Sequence, residues 1–263
     1  MLFSTIISPE TDHIIEAGSI DYLVSSIDKY HEDYFLDVKY RNVEPLPIKK
    51  LAIKAKNISF NRISNKDYIV GKNRDYFKIT NFIEIFRKSR KGIICFLDVD
   101  AMVVKHIKLE PDFDIAFTLK GYGQSDIHIT NLGIFFVNKT KENSNKVTDF
   151  LVNIVSSTRS LDLVNPDSIN FWKYMGIPEI KGHLDFLDDY IVSQDFINSI
   201  CYTKGWYEPG IYNFNGLKFK LLDSRYNKTW YFNQEIDPHV FIYHFKGRKE
   251  NKLERAKKLM ELL

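Results

Sequence analysis

Two aspartates interrupt the most apolar run of the chain. In ICFLDVDAMVV, residues 94–104, Ile94 to Leu97 read as a buried strand, and Asp98 and Asp100 arrive where that strand should end. Burying an unpaired carboxylate costs several kcal/mol, so the pair demands a positive partner. Residues i and i+2 of an extended segment point the same way, which lets both carboxylates share a divalent cation or its waters. Hard oxygen ligands suit Mg2+ or Mn2+, above all where substrate phosphates complete the shell. The bland alternative is two loop aspartates capping a turn or facing water. The apolar residues on both sides of the pair weigh against it.

Other stretches carry chemistry of a compatible kind. HFKGRKE (244–250) sets His244 before Lys246, Gly247, Arg248 and Lys249. The glycine permits a close backbone turn, and the cations can neutralise a departing diphosphate. Asn131 and Gly133 lie in TNLGIFF, Gln194 and Asp195 in VSQDF, and Arg74 and Lys78 in RDYFK. For these the ordinary alternatives are a turn asparagine and solvated helix faces. Tyr76, Trp206 and Trp230 offer rings for stacking on a base or sugar, although large aromatics more often fill cores.

Strands and helices must bring these residues together. Residues 2–8 read as a strand, 19–31 as an amphipathic helix, 33–40 as a strand and 74–90 as a helix ending in a cationic turn. The run with the two aspartates follows directly. This alternation predicts a largely parallel sheet covered on both faces, with ligands at the carboxyl ends of its strands. Residues 113–119, 132–138, 218–223 and 239–245 read as further strands, and 147–157 and 189–200 as helices. Residues 250–263 form a closing helix with Leu253, Ala256, Leu259, Met260 and Leu263 on one face.

The 263 residues suffice for one large α/β domain. A hydrophobic content of 44% with 20 Phe and 15 Tyr fills a sizeable core. No apolar stretch approaches the roughly 18 residues of a spanning helix, and the N-terminus makes a poor signal peptide. Two cysteines do not make a disulfide framework, so a cytoplasmic location is expected. The net charge of +3 is too small to argue for nucleic acid, but the C-terminal segment is strongly basic. That helix invites peripheral contact with an anionic membrane, contact with DNA phosphates, or simple closure of the fold.

Two enzyme classes place a D-x-D after a buried strand. In haloacid dehalogenase-like phosphatases the first aspartate is a nucleophile, a role Asp98 would take here. Those enzymes carry the motif on their first strand and need a downstream lysine and acidic pair. Lys120 and LDD (187–189) are the available groups, but LDD opens a helix. The second class fits more of the chain. DIHITNLGIFFVNKT resembles the N-x-G strand of GT-A nucleotide-sugar glycosyltransferases. YIVSQDFINSI resembles their D-Q-x-x-x-N helix, with Ser193 where the acidic residue often stands. VFIYHFKGRKE resembles their H-x-x-G-x-x-K segment, contracted by one residue.

In order and over residues 74–250, the set is similar to family 8-like enzymes, which include glycogenin and bacterial galactosyltransferases. The resemblance implies one Rossmann-like α/β domain over 1–263, with a mostly parallel central sheet flanked by helices and a C-terminal helix. It implies a nucleotide-binding half at about 1–105, an acceptor half at about 106–240 and a closing segment at 241–263. It further implies a hexosyltransferase using Mn2+ or Mg2+ and a UDP-sugar, with retention of configuration. Asp98, Asp100 and His244 would then be metal ligands. Arg74, Lys78, Lys246, Gly247 and Lys249 would serve the nucleotide or its diphosphate, and Gln194, Asp195 and Asn131 the reacting sugar. Inversion would instead require a carboxylate base, for which Asp195 or Asp189 is available. The acceptor is a saccharide, a protein side chain or a modified DNA base, and a non-catalytic sugar-nucleotide-binding module is the third reading.

Overall fold

The computed structural model describes residues 1–7, 19–40, 58–62, 74–90, 92–121, 128–159, 192–230, 234–245 and 249–263. Strands β1 (Leu2–Ile7), β2 (Phe35–Tyr40) and β3 (Ile58–Arg62) run parallel, and β4 (Gly92–Leu97) pairs with the other side of β1. The chain thus reverses its direction of travel across the sheet at β1, and open α/β sheets leave a crevice at such a point. β4 continues into antiparallel β7 (His128–Lys139), then β6 (Ile115–Gly121), β9 (Leu217–Leu222) and the edge strand β8 (Gly210–Phe214). The result is one mixed eight-stranded sheet.

β4 shows why its sequence is apolar without alternation. Cys95 and Leu97 face a core shared with helix α1 (Ser19–Tyr30), through Leu23 and Ile27. Ile94 and Phe96 face the opposite core, shared with α2 (Arg74–Lys88) through Phe82 and Phe86. A strand covered on both faces reads as a continuous hydrophobic run. Helices α3 (Ser144–Arg159) and α4 (Val192–Lys204) add Phe150, Leu151 and Ile197 to that second core. Both cysteines are buried and free, and burial pushes the Cys201 thiol up to about 12.

A second, two-stranded sheet pairs β5 (Ala101–Val103) antiparallel with β10 (Ile242–His244). Over it lies α5 (Lys249–Leu262), whose Ala256 and Leu259 enter a third cluster with Met102, Trp230, Tyr243 and Phe245. The expected apolar stripe of this helix is therefore spent against the protein, with Met260 and Leu263 packed alongside. Trp230, 1% exposed, is a core residue and not a platform for a base. No described helix is long and apolar enough to cross a membrane.

The structure adds to the expectations and corrects one of them. β3, β5 and β8 were not anticipated, being short or, in β8, half-exposed and bracketed by glycine and a turn. The sheet is mostly parallel, as expected, and among its described strands only β7 and β8 run against the others, a detail that apolar runs do not encode. Asp98 and Asp100 also lie in a tight turn, not an extended segment: the Ala101 N–H donates to the Asp98 carbonyl at 3.1 Å. The LDD stretch, residues 187–189, lies outside the described residues.

Candidate metal centre

The turn after β4 is anchored at both ends. The Asp98 N–H donates to the Gly133 carbonyl on β7 at 2.7 Å, and the Phe245 N–H donates to the Asp100 carbonyl at 2.9 Å. Val99 between them is 3% exposed and joins the α1 core, so the flanking carboxylates turn towards the crevice together. The β5–β10 pairing sets His244 opposite Ala101. It thereby carries the imidazole across 144 positions of sequence to the aspartates.

His244 Nε2 lies 3.1 Å from Asp100 Oδ1 and 3.4 Å from Asp98 Oδ2. The three side chains are 1%, 11% and 23% exposed respectively. One ligand atom from each residue lies within 4.8 Å of the others. Two hard carboxylate oxygens and one imidazole nitrogen, converging on the carboxyl end of a buried strand, form a donor set that fits a divalent ion of the Mn2+ or Mg2+ type.

The remaining carboxylate oxygens are occupied by cations. The Lys78 ammonium, from the second turn of α2, binds Asp98 Oδ1 and also donates to the Leu132 carbonyl at 3.2 Å. The Lys252 ammonium, from α5, binds Asp100 Oδ2 at 2.7 Å. Each aspartate thus offers one oxygen to the centre and gives the other to a lysine. That arrangement fixes both carboxylate planes.

Gly133 is required by this crowding. A Cβ there would lie 2.3 Å from His244 Cε1, 2.6 Å from Asp98 Oδ2 and 2.8 Å from Asn131 Oδ1. Asn131, 8% exposed, directs its Oδ1 to the Gly133 N–H at 2.9 Å and to the Asn227 amide at 3.0 Å. Asn227 Oδ1 in turn lies 3.0 Å from His244 Nδ1.

Among the sequence candidates, the structure brings together Asp98, Asp100, His244, Lys78, Asn131 and Gly133. Gln194 and Asp195 occupy the first turn of α4, and Arg74 and Lys249 open α2 and α5; the side chains of these four lie outside the described residues, as do Lys246 and Gly247. Trp206 stands apart in the second core, stacked on Tyr212 at 4.7 Å. Sequence reasoning missed Asn227 and Lys252. Asn227 follows a 3-10 turn (Ser224–Tyr226) and carries no motif. Lys252 is one lysine among several in a basic helix and carries no spacing signal.

No protein-family model matches the chain, and neither does any curated protein. Among solved structures, the galactosyltransferase LgtC in complex with donor and acceptor sugar analogues is similar over 100% of this chain and 95% of its own, with a TM-score of 0.55 and 11% identity. An active-site mutant of LgtC gives a TM-score of 0.54 and 12% identity, over 100% of this chain and 96% of its own. Likeness at such low identity is a likeness of fold: along its whole length this chain has the α/β, GT-A fold of that galactosyltransferase.

Proposed function

We propose that this chain is a metal-dependent glycosyltransferase, moving a sugar from a UDP-sugar to an acceptor hydroxyl with retention of configuration. The observation that carries this reading is the convergence of Asp98, Asp100 and His244 on one point, at the carboxyl end of β4 in a fold shared with a galactosyltransferase. Bound there, Mn2+ or Mg2+ supplies Lewis acidity to the leaving diphosphate.

The chain's own residues divide the remaining work. Lys78 and Lys252 hold the outer carboxylate oxygens. Lys246, Gly247 and Lys249 serve the diphosphate, and Arg74 the donor. Gln194 and Asp195, at the start of α4, serve the face of the sugar that reacts. Asn131 supports the imidazole through Asn227 in this reading, instead of touching the sugar. The acceptor is a hydroxyl of a saccharide, a protein or a modified DNA base.

Thermal stabilisation by a panel of sugar nucleotides, with and without Mn2+, tests the proposal. A ligand at a hundred times its dissociation constant stabilises by about 2.7 kcal/mol. The expected result is Mn2+-dependent stabilisation by a UDP-sugar, followed by UDP release when acceptor is supplied. Stabilisation without turnover on any acceptor would indicate a binding module. A response to vanadate alone would favour the phosphatase.

A further inference from the structure

Three buried polar side chains behind His244 join it in a hydrogen-bond relay whose direction can be worked out atom by atom. Thr118 and Asn227 are 0% exposed, His244 1% and Asn131 8%. The relay begins at the Gly133 backbone N–H, which can only donate. It donates to Asn131 at 2.9 Å, so the Asn131 atom it meets is the carbonyl oxygen Oδ1. The Asn227 atom 3.0 Å from that oxygen must then be the amide nitrogen. The same nitrogen donates to Thr118 Oγ1 at 2.8 Å, and the Thr118 hydroxyl is left to donate to the Ile134 carbonyl at 3.0 Å. With its nitrogen so committed, Asn227 turns its carbonyl oxygen to His244 Nδ1, 3.0 Å away. An acceptor in that position requires Nδ1 to carry the proton. The other ring nitrogen, Nε2, then faces Asp100 Oδ1 at 3.1 Å and Asp98 Oδ2 at 3.4 Å.

We infer that Asn227 is a positioning residue: its carboxamide, oriented by the Gly133 N–H through Asn131, holds the proton of His244 Nδ1 and aims Nε2, the nitrogen left for a cation, at the two carboxylates. The inference deepens the proposed function and rests on His244 being a ligand there. The direction of the relay, however, stands on hydrogen bonds alone. A carboxamide is suited to the task because it offers donor and acceptor at opposite ends, and burial leaves no water to compete for either.

Nitrogen NMR of isotopically labelled histidine in the full chain tests this at neutral pH, with the His244 signals identified by their loss in His244→Gln. The expected spectrum has a proton on Nδ1. Asn227→Leu should lose that signature and bind Mn2+ about 10–100-fold more weakly, as disturbing the partner of a ligating histidine does. A ring without a proton on Nδ1 in the unaltered protein overturns the inference, whether or not Asn227→Leu folds. So does an Asn227→Leu protein with unchanged tautomer and Mn2+ affinity. A ring in the expected tautomer with no Mn2+ binding upholds the relay and defeats the metal-dependent reading instead.

Discussion

Adding one methyl group at residue 133 should disable the centre while leaving the fold in place. Gly133→Ala puts a carbon 2.3 Å from His244 Cε1, where carbon–carbon contacts settle near roughly 3.5–4.0 Å. The imidazole would have to retreat by about 1 Å or more. It has little room: His244 is 1% exposed, and its strand pairs with β5. The alternative is for β7 to move, but its neighbours β4 and β6 hold it on both sides. Overpacking of this kind costs about 1–3 kcal/mol. Metal–ligand distances tolerate only about 0.2 Å, so even a successful retreat removes the nitrogen from the donor set. Urea unfolding should show a lower midpoint with unchanged slope, which reports a stability change in an intact fold. Titration with UDP should show Mn2+-dependent binding weakened by about tenfold or more. Unweakened Mn2+-dependent binding in a destabilised but folded protein would refute the reasoning, because the crowded point would then not be where the ion sits.

Asp100→Ala should abolish Mn2+-dependent nucleotide binding and also cost about 1.5–3 kcal/mol, since the part-buried Lys252 ammonium loses its carboxylate. Asp100→Ala with Lys252→Met should recover part of that stability but none of the binding; full additivity in the unfolding cycle would deny the ion pair. His31 supplies a pH dependence. Burial, with His106 and the N-terminal ammonium as lesser causes, pushes its imidazole from the ordinary 6.5 down to about 4. The folded state therefore holds His31 neutral, and its contribution is fully present above pH 6.5 and lost as the pH falls towards 4. The loss is on the order of 3 kcal/mol. His31→Gln, which keeps an acceptor for the Ile107 N–H, should flatten stability across that window, and an undiminished slope in this variant would remove His31 as the cause.

The parts of the fold that were legible are those in which burial writes a repeating pattern. α1, α2 and α5 carry apolar residues at helical spacing, and each buries that face. β4 is covered on both sides and reads as an unbroken apolar run. The closing helix shows its stripe plainly, and the stripe is filled as expected by Met102, Trp230 and Tyr243. β5 is different. With three residues it is too short to display any period, and its pairing with β10 depends on where β4 and β9 deliver the chain. Strand direction was equally hidden, because β7 is as apolar as a parallel strand while running against β4 and β6.

The centre divides along the same line. Asp98 and Asp100 stood out because charge inside an apolar run is costly, and a costly residue announces a compensating partner. His244 stood out through the glycine and cations that follow it. The residues that make the geometry specific carry no such mark. Asn227 is an asparagine after a turn, and Lys252 is one lysine of a basic helix. They acquire roles only because the turn after β9 sets Asn227 against β6 and β7 and α5 packs over β5. Lys78 and Lys252 then take the outer oxygens of the aspartates, the inner oxygens face His244, and the Gly133 amide dictates through two asparagines which ring nitrogen turns towards them. Sequence spacing identifies groups that bear charge or lone pairs. What those groups are free to bind is decided by the hydrogen bonds already made at their other ends, and those belong to the tertiary structure.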